Sequence, residues 1–165
     1  MNSLVKRAKC GDAEAFIALI EACKMTLQRV ALGYLKNEED AADAIQDTIL
    51  DAYEHIRGLK KEGYFKTWLV RILINHCTKT YRSNQHKAPF EDSMEQESHN
   101  MGNADVEFRA LLSILPDDSR TIFQLYYGEL FTTREIAEIL NMKESTVKSR
   151  LHRGKEQLRV ALQCR

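Results

Sequence analysis

The chain has 165 residues, with 24 Lys plus Arg against 24 Asp plus Glu, four Cys, seven Gly and two Pro. That length suits one domain or two small ones, and with 44% hydrophobic residues the chain has the material for a core. Scarce helix breakers and the lack of an alternating strand pattern exclude all-β and collagen-like folds, and no apolar run reaches the roughly 18 residues of a membrane span.

Lys6, Arg7 and Lys9 resemble the basic start of a secretory signal, but Gly11 and Asp12 follow with no apolar segment between, so residence in the cytoplasm is expected. Phe16, Leu19, Ile20, Cys23, Leu27, Val30, Ala31 and Tyr34 recur at three and four and predict an amphipathic helix over 13–35. A second helix, capped by Asn37, turns Ile45, Ile49, Ala52, Tyr53 and Ile56 inward. Asp40, Asp43, Gln46, Asp47, Asp51 and Glu54 fall on its outer face. After a loop over 57–64, a third helix buries Phe65, Trp68, Leu69, Ile72 and His76. Arg71, Asn75, Thr78 and Arg82 form a polar stripe on it.

Residues 87–104 combine acids and polar residues with Pro89 and Gly102 and read as a flexible acidic linker between a lobe over 1–86 and a lobe over 105–165. In the second lobe, Phe108, Leu111, Leu112 and Leu115 precede Pro116. A helix opening at Asp117 or Asp118 then buries Ile122, Leu125 and Tyr126, and Gly128 ends or bends it. Thr132 and Glu135 form a capping box for a short helix over 133–140, and Asn141 supplies a left-handed turn residue. A last helix over 144–161 turns Val147, Leu151, Gly154 and Leu158 inward.

The zero net charge conceals sorting along the chain. Residues 36–56 hold seven acids and one base, 57–87 hold eight bases and one acid, and 143–165 hold seven bases and two acids. One acidic and two basic surfaces point to a basic protein partner and a polyanion. Two short helices joined by a tight turn, the second one basic, form a helix-turn-helix layout. Opposite its buried side, the last helix carries Ser145, Lys148, Ser149, His152 and Arg153, flanked by Thr146 and Arg150, all donors for phosphates and base edges. The expected class is therefore all-α, two small helical domains joined by a flexible linker, the C-terminal one a helix-turn-helix.

No Gly-rich phosphate loop, nucleophile elbow or metal-spaced His and Cys set occurs, so neither an enzyme nor a cofactor or metal site is expected. Cys23 and Cys77 read as small apolar helix residues.

The stretch FTTREIAEILNMKESTVKSRLHRGKEQLR, preceded by LPDDSRTIFQLYYGEL, closely resembles region four of an extracytoplasmic-function sigma factor, the promoter-recognition subunit of bacterial RNA polymerase. NEEDAADAIQDTILDAY and YFKTWLVRILINHCTKTYR resemble the core-binding and promoter-melting parts of region two, in the family's order and spacing. The resemblance implies a sigma factor that directs polymerase core to promoters. It places Asp40, Asp43, Gln46 and Asp47 against the beta-prime clamp helices, and it adds the beta flap as a second core contact. It assigns Lys60, Lys61, Tyr64, Arg71, Asn75, Lys79 and Arg82 to the minus-ten element, where a flipped base is captured in the loop. Ser145, Thr146, Lys148, Ser149, Arg150, His152 and Arg153 fall to the minus-thirty-five element. The chain departs from the family at Asn141, where Gly often stands, and at Lys143, where Ser does, which weakens the cap of the last helix. With no self-inhibiting segment of the kind found in larger sigma factors, the resemblance implies regulation by an anti-sigma factor. Such a partner would hold the protein in the cytoplasm or at the membrane without direct insertion.

Two other readings explain less. A stand-alone helix-turn-helix regulator accounts for 105–165 but leaves the acidic helix and basic loop idle, and an interaction adaptor accounts for the acidic face alone. Trp68 reads as core rather than as a base-stacking platform, given its spacing with Phe65 and Ile72.

Overall fold

A computed structural model describes residues 1–87 and 103–163, and these fall into two compact units, one on each side of residues 88–102. The first unit holds α1 (Asn2–Lys9), α2 (Ala13–Leu35), α3 (Glu38–His55) and α4 (Phe65–Lys87), with short 3-10 turns at Ile56–Gly58 and Glu62–Tyr64. The second holds α5 (Asn103–Leu112), α6 (Asp117–Phe123), α7 (Thr133–Ile139) and α8 (Glu144–Gln163). Among the described residues there is no strand. Of the linker read over 87–104, Lys87 ends α4 and Asn103 and Ala104 open α5, while the remainder lies outside the described residues.

In the first unit α2 packs against the other three helices. Leu19, Cys23, Leu27, Val30 and Ala31 of α2 meet Phe65, Leu69, Leu73 and Cys77 of α4, which recur every four residues along one face, and all of them are buried. Burial pushes the Cys77 thiol up to about 12 and raises that of Cys23 as well, so both behave as small apolar groups. Helix α3 enters this core through Ala41, Ala44, Thr48 and Ala52 rather than through its large residues. Ile45 and Ile49 are only half-buried, and Tyr53, expected inside, is 56% exposed, its ring in an edge-to-face pair with that of Phe16. Small side chains let α3 approach its neighbours closely, and the buried Thr48 hydroxyl is satisfied by donating to the Ala44 carbonyl at 2.6 Å.

Helix α1 has no counterpart among the elements expected from spacing. It forms because Val5 and Ala8, both buried, dock on the rest of the unit. Gly11, at φ +94°, turns the chain in the left-handed region. Asp12 then caps α2 by accepting from the Ala15 N–H at 3.1 Å and pairs with Arg7 at 2.7 Å. These contacts, the Ala15 N–H first, hold its carboxyl below the ordinary value. Asn37 caps α3 as expected, accepting from the Asp40 N–H at 2.9 Å.

The second unit closes around Leu112, Leu115, Ile122, Phe123, Leu125, Ile136, Ile139, Val147 and Leu151, all buried. Arg120 joins α5 to α6, donating to the Leu112 and Leu115 carbonyls at 3.3 and 3.1 Å and pairing with Asp117 at 3.0 Å. Past α6 the chain makes a π-helical turn, Gln124–Gly128, and the Glu129 N–H reaches the Gln124 carbonyl at 3.1 Å. The bend expected at Gly128 is completed by Leu130, at φ +59° and 82% exposed. A Cβ at Gly128 would stand 2.8 Å from Gln124 Nε2 and 3.3 Å from the Phe108 ring, so a larger residue there needs the end of the Gln124 side chain to shift.

Candidate nucleic-acid interface

On α3, Asp43, Gln46 and Asp47 are exposed, and Leu50, Tyr53 and Glu54 are exposed further along the helix. The face is therefore acidic with an apolar centre. Spacings of three and four from Asp43 through Asp47 and Leu50 carry this signal in the sequence, whereas Tyr53, expected inward, joins the exposed face. Asp40 is less open than expected: it is half-buried and accepts from Asn84 Nδ2 of α4 at 2.8 Å. Asp51 is also engaged, its Oδ2 lying 2.7 Å from His76 Nε2, while Asp47 Oδ2 lies 3.9 Å from His76 Nδ1. His76 thus sits between two carboxylates where α3 crosses α4, a role its place on the inward side of α4 did not reveal. Asp51, Glu54 and His55 gather within 4.8 Å, but Asp51 already serves His76 and the His55 ring engages the Asp51 carbonyl.

The loop between α3 and α4 presents Lys60 and Lys61, both exposed, with the Lys61 ammonium 5.7 Å from the centre of the half-buried Tyr64 ring. Below them Lys9 of α1 donates to the Leu59 carbonyl at 2.7 Å and to Glu62 Oε1 at 3.4 Å. The Glu62 carboxyl is held below its ordinary value, first by its own backbone N–H and then by Lys9. Arg71, Asn75, Lys79 and Arg82 are exposed along α4 and continue the basic loop. Thr78 is half-buried instead, because the Tyr34 hydroxyl of α2 lies 3.0 Å from its Oγ1. Trp68 is half-buried beside the fully buried Phe65, so it belongs to the edge of the core rather than to its interior.

In the second unit the capping box forms as read: Thr132 accepts from the Glu135 N–H at 3.2 Å and its own N–H donates to Glu135 Oε2 at 2.9 Å. Asn141 adopts φ +51° in the turn to α8. Lys143 brings no capping oxygen, and Glu144 takes over the junction. It accepts from Thr133 Oγ1 at 2.7 Å and pairs with Lys148 at 3.0 Å, contacts that lower its carboxyl with Thr133 foremost. A carboxylate in the first turn of α8 also suits the helix dipole. Ser145, Lys148, Ser149, His152 and Arg153 are exposed on one side of α8, as the wheel required. Thr146 and Arg150 are half-buried, and Arg150 pairs with Asp118 of α6 at 3.3 Å. Gly154 is buried under Phe123, where a Cβ would come within 2.4 Å of the ring.

Among known families, the model described as Sigma-70 region 2 matches residues 19–87 and that described as Sigma-70, region 4 matches residues 105–158. The chain belongs to the extracytoplasmic-function sigma factors. It is 28% identical over 176 aligned positions to the ECF RNA polymerase sigma factor SigW of Bacillus subtilis, covering 96% of this chain and 94% of that protein. To the ECF RNA polymerase sigma-E factor of Haemophilus influenzae it is 26% identical, covering 98% and 95%. Its fold resembles the solved structure of CnrH in complex with the cytosolic domain of CnrY, at a TM-score of 0.75 and 22% identity over 99% of this chain and 97% of that one. It also resembles the sigma factor RpoE in complex with the anti-sigma factor NepR from Bartonella quintana, at 0.76 and 21% over 92% and 98%. As a sigma factor it serves promoter-specific initiation of transcription, not stand-alone regulation of duplex operators. No helix among the described residues is long and apolar enough to cross a membrane.

Proposed function

We propose that the first unit binds polymerase core through α3 and opens the minus-ten element through the 57–64 loop and α4, while α8 of the second unit reads the minus-thirty-five element. The observation that carries this division is the segregation of charge by helix. Carboxylates of Asp43 and Asp47 are exposed on α3, and the exposed bases Lys60, Lys61, Arg71, Lys79 and Arg82 follow on the loop and α4. An acidic face with Gln46, Leu50 and Tyr53 at its centre suits a basic, partly apolar protein surface such as the clamp helices. A basic groove beside Tyr64 suits unpaired DNA. On α8, Ser145, Lys148, Ser149, His152 and Arg153 supply base and phosphate contacts, while Arg150, paired with Asp118, fixes the helix from its flank beside the half-buried Thr146. Asp40, tied to Asn84, serves the α3–α4 junction first and core binding second. A contact of the second unit with the beta flap completes attachment to core.

An anti-sigma factor is the brake this reading favours, since the structural relatives CnrH and RpoE were each solved with a partner, the latter's being an anti-sigma factor. Covering the α3 face would block core binding, and such a partner would hold the protein in the cytoplasm or at the membrane. The test is the double reversal Asp43→Lys with Asp47→Lys. Exposed carboxylates contribute little to folding, so thermal melting should hold while affinity for core falls at least about tenfold through like-charge repulsion. Unchanged core affinity would remove the assignment of α3.

A further inference from the structure

Helix α1 precedes the segment that the region 2 model matches, and the division of labour above gives it no task. Its position does. Seated by Val5 and Ala8, it packs on both 3-10 turns that frame the basic loop. Its last residue, Lys9, has a side chain only 23% exposed. The ammonium is turned toward the protein, donating at 2.7 Å to the carbonyl of the buried Leu59 and at 3.4 Å to Glu62 Oε1. These two acceptors bracket Lys60 and Lys61, whose own side chains are exposed. Gly58 and Gly63 stand just outside the bracket with open space around their Cα atoms. Two glycines make the segment costly to order, and a cation that fastens both ends restricts it before any ligand arrives.

We propose that Lys9 is a positioning residue that clamps 59–62, so that Lys60, Lys61 and Tyr64 are arranged in advance for a base extruded from the minus-ten element. It thereby sets selectivity among bases at that position. This inference rests on the assignment of the loop to minus-ten DNA. A flipped base is read by closely placed donors and a stacking or apolar wall, and a lax loop would bind every base with similar weakness. Lys9 touches no DNA in this arrangement and acts through the backbone at Leu59 and the carboxylate of Glu62.

The test uses polymerase core assembled with the full chain, as wild type, Lys9→Met and Lys61→Ala. Binding is measured to single-stranded minus-ten oligonucleotides bearing each of the four bases at the extruded position, on a promoter that the wild-type holoenzyme transcribes. Lys9→Met should narrow the ratio between best and worst base roughly tenfold, the scale of one charged hydrogen bond. Affinity for core, which a merely structural lesion in the first unit would lower, should be unchanged. Retained selectivity in Lys9→Met with lost selectivity in Lys61→Ala would overturn the clamp and leave the loop assignment standing. Unchanged binding in Lys61→Ala as well would overturn both. Should Lys9→Met fail to fold, Glu62→Ala loosens the other end of the bracket, and unchanged selectivity there would likewise defeat the proposal.

Discussion

The two units hold their functional surfaces by different means. In the first, four-residue repeats of large apolar side chains on α4 and small ones on α3 create the core, and polar contacts such as Asp51 with His76 sit at its edge. In the second, α7 has only seven residues, too short to be stable alone, and α8 is positioned by polar fastenings at its start and flank: Thr133 to Glu144, Glu144 to Lys148, and Arg150 to Asp118. Along α4 apolar burial thus leaves a face of charges exposed, with the fastened charges of that unit, such as Lys9 and Asp40, lying on other helices, whereas α8 commits part of its own charge to its placement. The basic residues of α8 are consequently not equivalent. Arg153 and His152 are exposed, while Arg150 is half-buried in a pair.

The largest effect is expected where the second unit has no slack. Gly154→Ala would place a methyl 2.4 Å from the Phe123 ring, and overpacking of this kind should cost about 3 kcal/mol, outweighing the gain in helix propensity. Calorimetry should show the second unit melting lower while the first is unchanged, with affinity for core lost only in part.

Next come the two arginines of α8. Arg153→Ala should leave melting unchanged and weaken preference for the upstream element by about 1 to 3 kcal/mol if it makes a bidentate base contact. Arg150→Ala should do the reverse, lowering the stability of the second unit by no more than about 1 kcal/mol, as befits a partly exposed pair. Melting curves beside binding to promoter variants would separate them.

The smallest effect concerns acid. The lowered carboxyl of Glu144 means that its contribution to stability is complete above its ordinary value of 4.5 and is lost as pH falls from there through the lower folded value. Melting of the second unit should therefore decline more steeply in that acid range than in Glu144→Gln, which has no proton to take up.

Much of this architecture was legible because it depends on neighbours in sequence. The bounds of α2, the Asn37 cap, the box of Thr132 with Glu135 and the turn at Asn141 are all local, and each formed as the spacing required. What escaped depends on distant partners. Helix α1 is short and basic, and only docking of Val5 and Ala8 makes it a helix. Tyr53 falls on the inward side by its spacing with Ile45, Ile49 and Ile56, yet the alanines of α3 fit the gap between α2 and α4 better. Leu130 in the left-handed region follows from the π-helical turn before it, whose hydrogen bonds skip a residue and leave no periodic signal. The candidate site residues were legible as types and spacings. Their commitments, Asp40 to Asn84 and Arg150 to Asp118, were not, because each joins separate helices.

The division of DNA work between the units is the central claim, and open-complex formation on duplex and pre-melted promoters tests it most directly. Holoenzymes carrying Lys61→Ala or Asn75→Ala in the first unit should open duplex promoters slowly and recover in large part when the minus-ten region is supplied already unpaired, the contact to the unpaired base itself staying weakened. Those carrying Lys148→Ala or Arg153→Ala in the second should remain impaired on both templates, because their defect precedes melting. Equal rescue of the two sets by pre-melted DNA, or rescue of neither, would contradict the account.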